Sequence, residues 1–472
     1  MRTIPAGNRA KGARAWLVGA LACSLVAPVF AQERPTVEQL QQRLEALERR
    51  FGGAAQTADG NELDLATLDQ RLRALERNLE LQEEARVAKA KEAPVVTVGA
   101  GGAAVKSGDG AYEFKLRGLV QGDARFFQDD DQVPANDSFL LRRVRPTLEG
   151  SLGKLVGFRI TPEFAGDSAT VVDAYVDLKF DPAYTLRAGK VKGPVGLERL
   201  QSGNAIALIE RAFPTELAPN RELGVQLQGV LADSKFNYVV GVYNGTADGR
   251  DGASSNSDGN FEYAARLFFE PLPGIGFGIA GSTGDKEGTG NNFLPRYRTQ
   301  GQQQFFNYRA AVAADGRHTR LSPQGYLYRG PFGLQAEYIR SKQELELAGN
   351  RADLENSAWQ ATASWVLTGE EASYRGVRPA SPFKPGGNGW GAFELVGRYG
   401  VLDVDDGAFP LFADPDVAAT RATEWALGLN WYLNSNLKLV VNYLHTRFDG
   451  GALAGADRED EKAVFSRLQV AF

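Results

Sequence analysis

Residues 425–443 read Trp425-Ala-Leu-Gly-Leu-Asn-Trp-Tyr-Leu-Asn-Ser-Asn-Leu-Lys-Leu-Val-Val-Asn-Tyr443. Trp425, Leu427, Leu429, Trp431 and Leu433 alternate with Gly428, Asn430 and Tyr432. After the turn Asn434–Asn436, Leu437, Leu439, Val441 and Tyr443 alternate with Lys438 and Asn442. Successive side chains of a strand point to opposite faces, so a period of two gives each strand one apolar and one polar face. Two such strands joined by three turn residues predict a hairpin, and each is long enough to cross a bilayer at a tilt.

The same period runs from Tyr112 to the end. Phe261, Tyr263, Ala265, Leu267 and Phe269 alternate with Glu262 and Arg266, and the last segment sets Val464, Leu468, Val470 and Phe472 against Arg467 and Gln469. The joints alternate as well. Short ones such as Asp181–Ala183, Gly330-Pro331 and Asn434–Asn436 take turns with long polar ones such as Lys190–Asn220, Asn244–Gly259 and Gly284–Arg317. Two joints break the rule: Gly166–Thr170 is short where a long one is due, and Thr368–Asn388 is long where a short one is due. An even strand number, turns on one side and loops on the other describe an outer-membrane barrel of about sixteen antiparallel strands over 112–472. A soluble sandwich shares the alternation, but not the aromatic strand ends or the terminal Phe472.

The composition agrees. The chain has 472 residues, 43% of them hydrophobic, with 54 Gly, 26 Phe and 15 Tyr. No apolar run past residue 31 is long enough for a membrane helix. The net charge of -5 carries no nucleic-acid footprint. With Cys23 as the one cysteine and His318 and His445 the two histidines, neither a disulfide framework nor a Cys/His metal site forms. Hydrolytic catalysis lacks a nucleophile–base pair: His318 and His445 both read as interfacial or loop residues. No cofactor is expected.

Ahead of the barrel, Arg2, Arg9, Lys11 and Arg14 precede the apolar stretch Ala15–Phe30, so residues 1–31 read as a cleaved secretory signal. Residues 32–87 read as a helical coiled coil: Leu65, Leu68, Leu72, Leu75 and Leu79 recur at three and four. That seam calls for partner chains, and a homotrimer suits it; a helical hairpin folded around the glycine-rich break is the alternative. Residues 88–111, rich in Ala, Gly and Lys, read as a flexible linker.

The chemistry concentrates on the first strands. Lys115, Arg117, Gln121, Asp123 and Arg125 share the polar parity of strand one. In Leu140-Leu-Arg-Arg-Val-Arg-Pro-Thr-Leu-Glu149, Leu140, Val144 and Leu148 take the lipid face and Arg143 and Arg145 the lumen. Arg142 then falls on the apolar side, which a bulge or burial at a subunit contact would resolve. Arg159 and Arg187 also have lumen parity, and the long joint Lys190–Asn220 carries Lys192, Glu198, Arg199, Glu210 and Arg211. Folded inward, that loop would narrow the pore. Guanidinium groups offer donor forks to phosphate or carboxylate, and rings of Arg or Lys select anions. Asp123, Glu149, Glu163, Asp173 and Asp177 share these faces, so cross-lumen ladders that only brace the wall remain an equal reading.

Phe139-Leu-Leu-Arg-Arg-Val-Arg145, Asp173-Ala-Tyr-Val176, Arg187-Ala-Gly-Lys-Val-Lys192, Ile209-Glu-Arg211, Asn220-Arg-Glu-Leu-Gly224, Gly389-Trp-Gly-Ala-Phe-Glu394 and Gly428-Leu-Asn-Trp-Tyr-Leu-Asn434 together resemble the phosphate-selective porin O and P family, over about residues 112–472. The resemblance implies a trimer of sixteen-stranded barrels with a narrow Arg- and Lys-lined constriction. It implies that Arg142 and Arg143 are the paired arginines there and Asp173 their acidic partner. The sequence departs from the family at one place: Gln201-Ser-Gly-Asn-Ala-Ile-Ala-Leu-Ile209 has no lysine, where phosphate-selective members carry one. The expected function is passive diffusion of small anionic solutes through an outer-membrane porin, in contact with lipid and lipopolysaccharide. The rival is a structural protein with a closed barrel and a coiled-coil tether, and pore radius separates the two. The candidate constriction residues are Arg125, Arg142, Arg143, Arg145, Asp173, Arg187, Lys192, Arg199 and Arg211.

Overall fold

The computed structural model describes residues 77, 80–84, 86, 89, 93–128, 135–166 and 168–472. The expected signal segment and most of the expected coiled coil lie outside these residues. Residues 77, 80–84, 86 and 89 are helical, with Arg77 donating to Glu80 at 3.0 Å.

A hairpin of β1 (Val95–Gly99) and β2 (Gly102–Lys106) comes first. It corrects the expectation of a linker over 88–111. Ala103–Lys106 pairs with Leu116–Glu113 below the last strand, so backbone pairing to an exposed edge orders a segment that composition alone marks as flexible.

The barrel strands are β3 (Tyr112–Gln128), β4 (Ser138–Leu152), β5 (Val156–Glu163), β6 (Thr170–Asp181), β7 (Tyr184–Val191), β8 (Glu222–Leu231), β9 (Phe236–Tyr243), β10 (Glu262–Leu272) and β11 (Ile275–Thr289). A small separate hairpin follows, β12 (Arg296–Arg298) with β13 (Gln304–Asn307). The wall then resumes with β14 (Ala313–Arg329), β15 (Phe332–Leu347), β16 (Asn350–Val366), β17 (Ala392–Asp403), β18 (Ala419–Tyr432), β19 (Leu437–Gly450) and β20 (Glu461–Ala471). These sixteen wall strands are all antiparallel, and β20 returns to β3 to close the barrel. Gly118 and Phe472 seal the joint with two backbone hydrogen bonds, 2.8 and 3.0 Å.

The outer face shows why this sheet suits a membrane. Phe332 stacks on Trp365 at 6.0 Å and Phe393 on Trp431 at 5.6 Å, near the short-turn end. Trp359 with Tyr399, and Trp425 with Tyr443, form a second belt further along the same strands. Aromatic belts bracketing an apolar band mark the two membrane interfaces. Beyond the second belt the outer face turns to paired charges, Arg340–Glu355, Lys342–Asp353 and Arg421–Asp403. The short turns lie at the C-terminal end of β20, which is therefore the periplasmic end.

Several joints fold into the barrel, three of them deeply. Loop 192–221 enters the lumen after β7. Loop 290–312, which holds β12 and β13, packs beside it: Phe305 meets Phe213 at 5.9 Å and Phe448 at 5.8 Å. An apolar core containing Val195, Phe213, Leu217, Phe305, Ile339, Leu354 and Phe448 thus sits inside the wall. From the other end, the long joint 367–391 reaches up to the first loop, where Tyr374 donates from its hydroxyl to Leu197 O at 2.6 Å. Its irregular length reflects this inward course. Glu344–Asp353, polar enough in sequence to read as another long joint, is instead a tight turn at Ala348-Gly349, since β15 and β16 run on as a ladder from Phe332–Trp365 to Leu347–Asn350.

Candidate functional site

A β-bulge settles the place of Arg142. Gln121 pairs with Arg143 and Gly122 with Leu141, leaving Arg142 as the extra residue of β4. A bulge flips the parity beyond it. Arg142 and Arg143 therefore both turn inward, while Leu140 shares the inward face of Asp123 and Phe139 and Leu141 face out. This corrects the expectation that Leu140 faces lipid. A second bulge, at Thr161/Pro162 opposite Asp173/Val171, leaves Val172 as the extra residue of β6, while Asp173 keeps the lumen parity of Tyr175 and Asp177.

The lumen loop is pinned to the wall by backbone carbonyls. Gln121 donates to Gly203 O at 3.0 Å, Gln469 to Asn204 O at 3.0 Å, and Asn430 to Ala207 O at 2.9 Å. Arg467 donates to Ile209 O at 2.6 Å and Arg398 to Glu210 O at 3.0 Å. A loop whose carbonyls are bound along the far wall crosses the lumen and divides it.

Two chambers result. The periplasmic one holds about 710 Å³ and is bordered by Arg117, Arg159, Arg187, Asp173, Arg375 and Arg378, among others. The outer one holds about 250 Å³ and is bordered by Arg142, Arg143, Arg199, Glu210, Arg211 and Arg298, among others. Arg145, Lys192, Gly203 and Arg221 border both chambers, which adjoin at these four residues.

Half of the candidate cations have a carboxylate. Arg187 forks onto Asp177 at 2.7 and 2.9 Å and lies over the Tyr175 ring at 3.9 Å. Arg145 meets Glu163 at 2.6 Å, Arg221 meets Asp173 at 3.3 Å, and Arg159 pairs with Glu149. Arg125 lies buried between Asp123 at 2.9 Å and Glu210 at 2.7 Å. Asp173 thus partners Arg221 rather than Arg142 or Arg143, and Arg221, Arg375 and Arg378 were missed from sequence.

Four candidates, Arg143, Lys192, Arg199 and Arg211, have no carboxylate within 4 Å among the described residues. Arg143 donates to Gln121 Oε1 at 2.6 Å and lies beside Gly203. Lys192 donates to the carbonyls of Leu200 and Gln201 at 3.2 and 2.9 Å. Arg211 donates to the carbonyls of Glu198 and Gln201 at 2.8 and 2.7 Å. Burial, with Arg211 and Arg221 nearby, holds the Lys192 ammonium well below the usual lysine range. Burial and the neighbouring Arg199 push Arg211 down to about 9. Arg199 is a strut: it bonds Asn220 at 3.0 Å and the carbonyl of Thr215.

The histidines lie elsewhere. His318 is 1% exposed, bonded to Ser341 at 2.9 Å and near Asp248. It faces the interior of the outer end, which corrects its reading as an interfacial or loop residue: the strand β14 starts earlier than expected and carries it inward. His445 sits on the outer face at 2.7 Å from Asp460 and against Trp425.

A closed sixteen-stranded barrel with aromatic belts and a basic passage narrowed by an inward loop defines an outer-membrane porin. The model of the phosphate-selective porin O and P family matches residues 114–472, and the chain belongs to that family. It is 27% identical to Porin O of Pseudomonas aeruginosa over 420 residues, 80% of this chain and 93% of that one. It is 26% identical over 406 residues to an uncharacterized protein of Caulobacter vibrioides, 79% of this chain and 76% of the other. Among solved structures, the outer membrane channel DcaP of Acinetobacter baumannii shares the fold, with a TM-score of 0.50 at 14% identity, covering 78% of this chain and 99% of that one.

Proposed function

We propose that this porin passes small anions, phosphate among them, by binding them in the passage between its two chambers. The carrying observation is the cluster of Arg143, Lys192 and Arg211, cations that no carboxylate neutralises, gathered at or beside the shared border. Arg145 and Arg221 flank it, each with one carboxylate. A water-filled throat with surplus positive charge attracts anions and repels cations. Lys192 supplies an ammonium in the inward loop, although it stands upstream of the stretch where phosphate-selective members carry their lysine.

The working unit is a homotrimer set in lipid and lipopolysaccharide. What supports this is the outer face of β3 and β4. From Tyr112 to Phe126 and from Phe139 to Leu152 it bears no charge, a band longer than the strand length of about 9–11 residues that crosses a bilayer. Phe139 is 83% exposed there.

The test is reversal potential in planar bilayers under a KCl gradient, with inorganic phosphate then added to compete with the chloride current. A chloride preference with phosphate block is expected. A potassium preference, or no conductance at all, rejects this reading; the second result would favour a closed structural barrel.

A further inference from the structure

Glu210 stands among the arginines of β4 instead of a solute. Its carboxylate is taken by Arg142 in a fork, Nε to Oε1 at 2.6 Å and Nη2 to Oε2 at 3.1 Å. Arg125 adds a bond of 2.7 Å to Oε1, and Arg467 lies at 3.5 Å. Both Glu210 and Arg142 border the outer chamber, where the Arg142 side chain keeps 29% of its surface open. Burial opposes the charge of Glu210, but Arg142, Arg125, Arg467 and Arg143 hold its carboxyl well below the usual carboxylate range. The fork is the geometry in which a guanidinium takes a free carboxylate or a phosphate.

We infer that Glu210 is a tethered internal anion of the pore, occupying the Arg142 fork and so withholding that guanidinium from solutes in the outer chamber. This rests on the anion-porin reading above. Glu210 is a positioning residue that sets how much of the basic wall a solute meets. Its own backbone carbonyl is held by Arg398, and its neighbours Ile209 and Ala207 are held by Arg467 and Asn430. The loop therefore keeps its place when the side-chain charge is removed, and the change reaches the chamber as electrostatics.

The experiment is a charge cycle on the full-length porin, read as the chloride-to-potassium permeability ratio. E210Q leaves Arg142 unopposed, with Arg125 still held by Asp123, and raises the ratio by about threefold. R142Q leaves the carboxylate short of its main partner and lowers it by a similar factor. The double variant returns close to wild type, and E210D, which keeps the charge, stays there. A merely structural Glu210 does not give opposite signs in the two single variants. An unchanged or lowered ratio in E210Q overturns the inference, and so does a rise that E210D reproduces, since that reports loop displacement. A wild-type pore that prefers potassium instead refutes the underlying anion reading, whatever the variants do.

Discussion

Glu337 of β15 accepts the backbone N–H of Leu197 at 2.7 Å, and with its second oxygen that of Glu198 at 3.2 Å. The loop that leaves the wall after β7 is thereby fixed to a strand across the lumen. The carboxylate caps the one-turn helix Leu197–Leu200, whose N-cap residue, Gly196, has no side chain to do so. Glu337 is 4% exposed, so the two N–H groups have no ready water to replace it.

Glu337→Ala is therefore expected to loosen the loop. Leaving a buried donor unpaired costs about 1–3 kcal/mol. Single-channel conductance should rise and become noisier, because the divider between the chambers is no longer held at its first turn. A conductance trace indistinguishable from wild type would show that Tyr374 and the wall carbonyl contacts suffice.

Selectivity separates passage residues from wall residues. Lys192 borders both chambers with only carbonyl partners, whereas Arg187 is forked onto Asp177. A charge about 8 Å from a permeant ion in a water-like medium is worth about 0.5 kcal/mol. Attraction of chloride and repulsion of potassium add, so Lys192→Gln should lower the chloride-to-potassium permeability ratio by about fivefold. Arg187→Gln should change it less, since its loss exposes a carboxylate further from the passage. Equal effects would place the selective ring in the periplasmic chamber instead.

The sequence made the wall legible and hid the interior. A period of two located the strands because lipid on one side and water on the other impose it on each side chain. The same rule misplaced Leu140, since a bulge is one unpaired residue that leaves no mark in composition. It was the charge of Arg142 on the apolar side that signalled it. The inward loops did have a signal. Ile339, Leu354 and Phe448 carry apolar side chains on lumen parity, which a water-lined wall does not favour, and the structure packs loops 192–221 and 290–312 against them. Ion pairing was beyond reach, because which arginine meets which carboxylate depends on the loop that brings Glu210 among them.

The passage should also respond to pH. Burial, helped by Arg211 and Arg221, holds Lys192 well below the ordinary lysine range, so it loses its proton earlier than a surface lysine as pH rises. The charge is present at low pH and lost as pH rises, so anion preference should weaken at a pH below that at which a surface lysine titrates. Lys192→Arg keeps its charge throughout and should flatten that decline. A wild-type profile flat up to the pH of about 9 at which Arg211 begins to lose its own proton would assign the selectivity to the arginines.

Closure of the barrel rests on a glycine. Gly118 of β3 exchanges two backbone hydrogen bonds with Phe472, and a Cβ added at Gly118 would come within 2.4 Å of the Phe472 ring. The ring covers the place where a side chain would stand, on the outward parity shared with Leu116 and Val120. Gly118→Val must push the terminal aromatic aside or part the first and last strands. Overpacking of this kind costs about 1–3 kcal/mol, and here it falls on the seam that joins the two ends of the sheet. The unfolding temperature, read from the gel-mobility shift between folded and heated barrel, should fall in Gly118→Val and recover when Phe472→Ala removes the ring in the same chain. Because the clash involves only these two side chains, recovery by the second change is the informative result. If the double variant is less stable than Gly118→Val alone, the Phe472 ring stabilises the seam more than it obstructs a larger residue at 118, and the steric account fails.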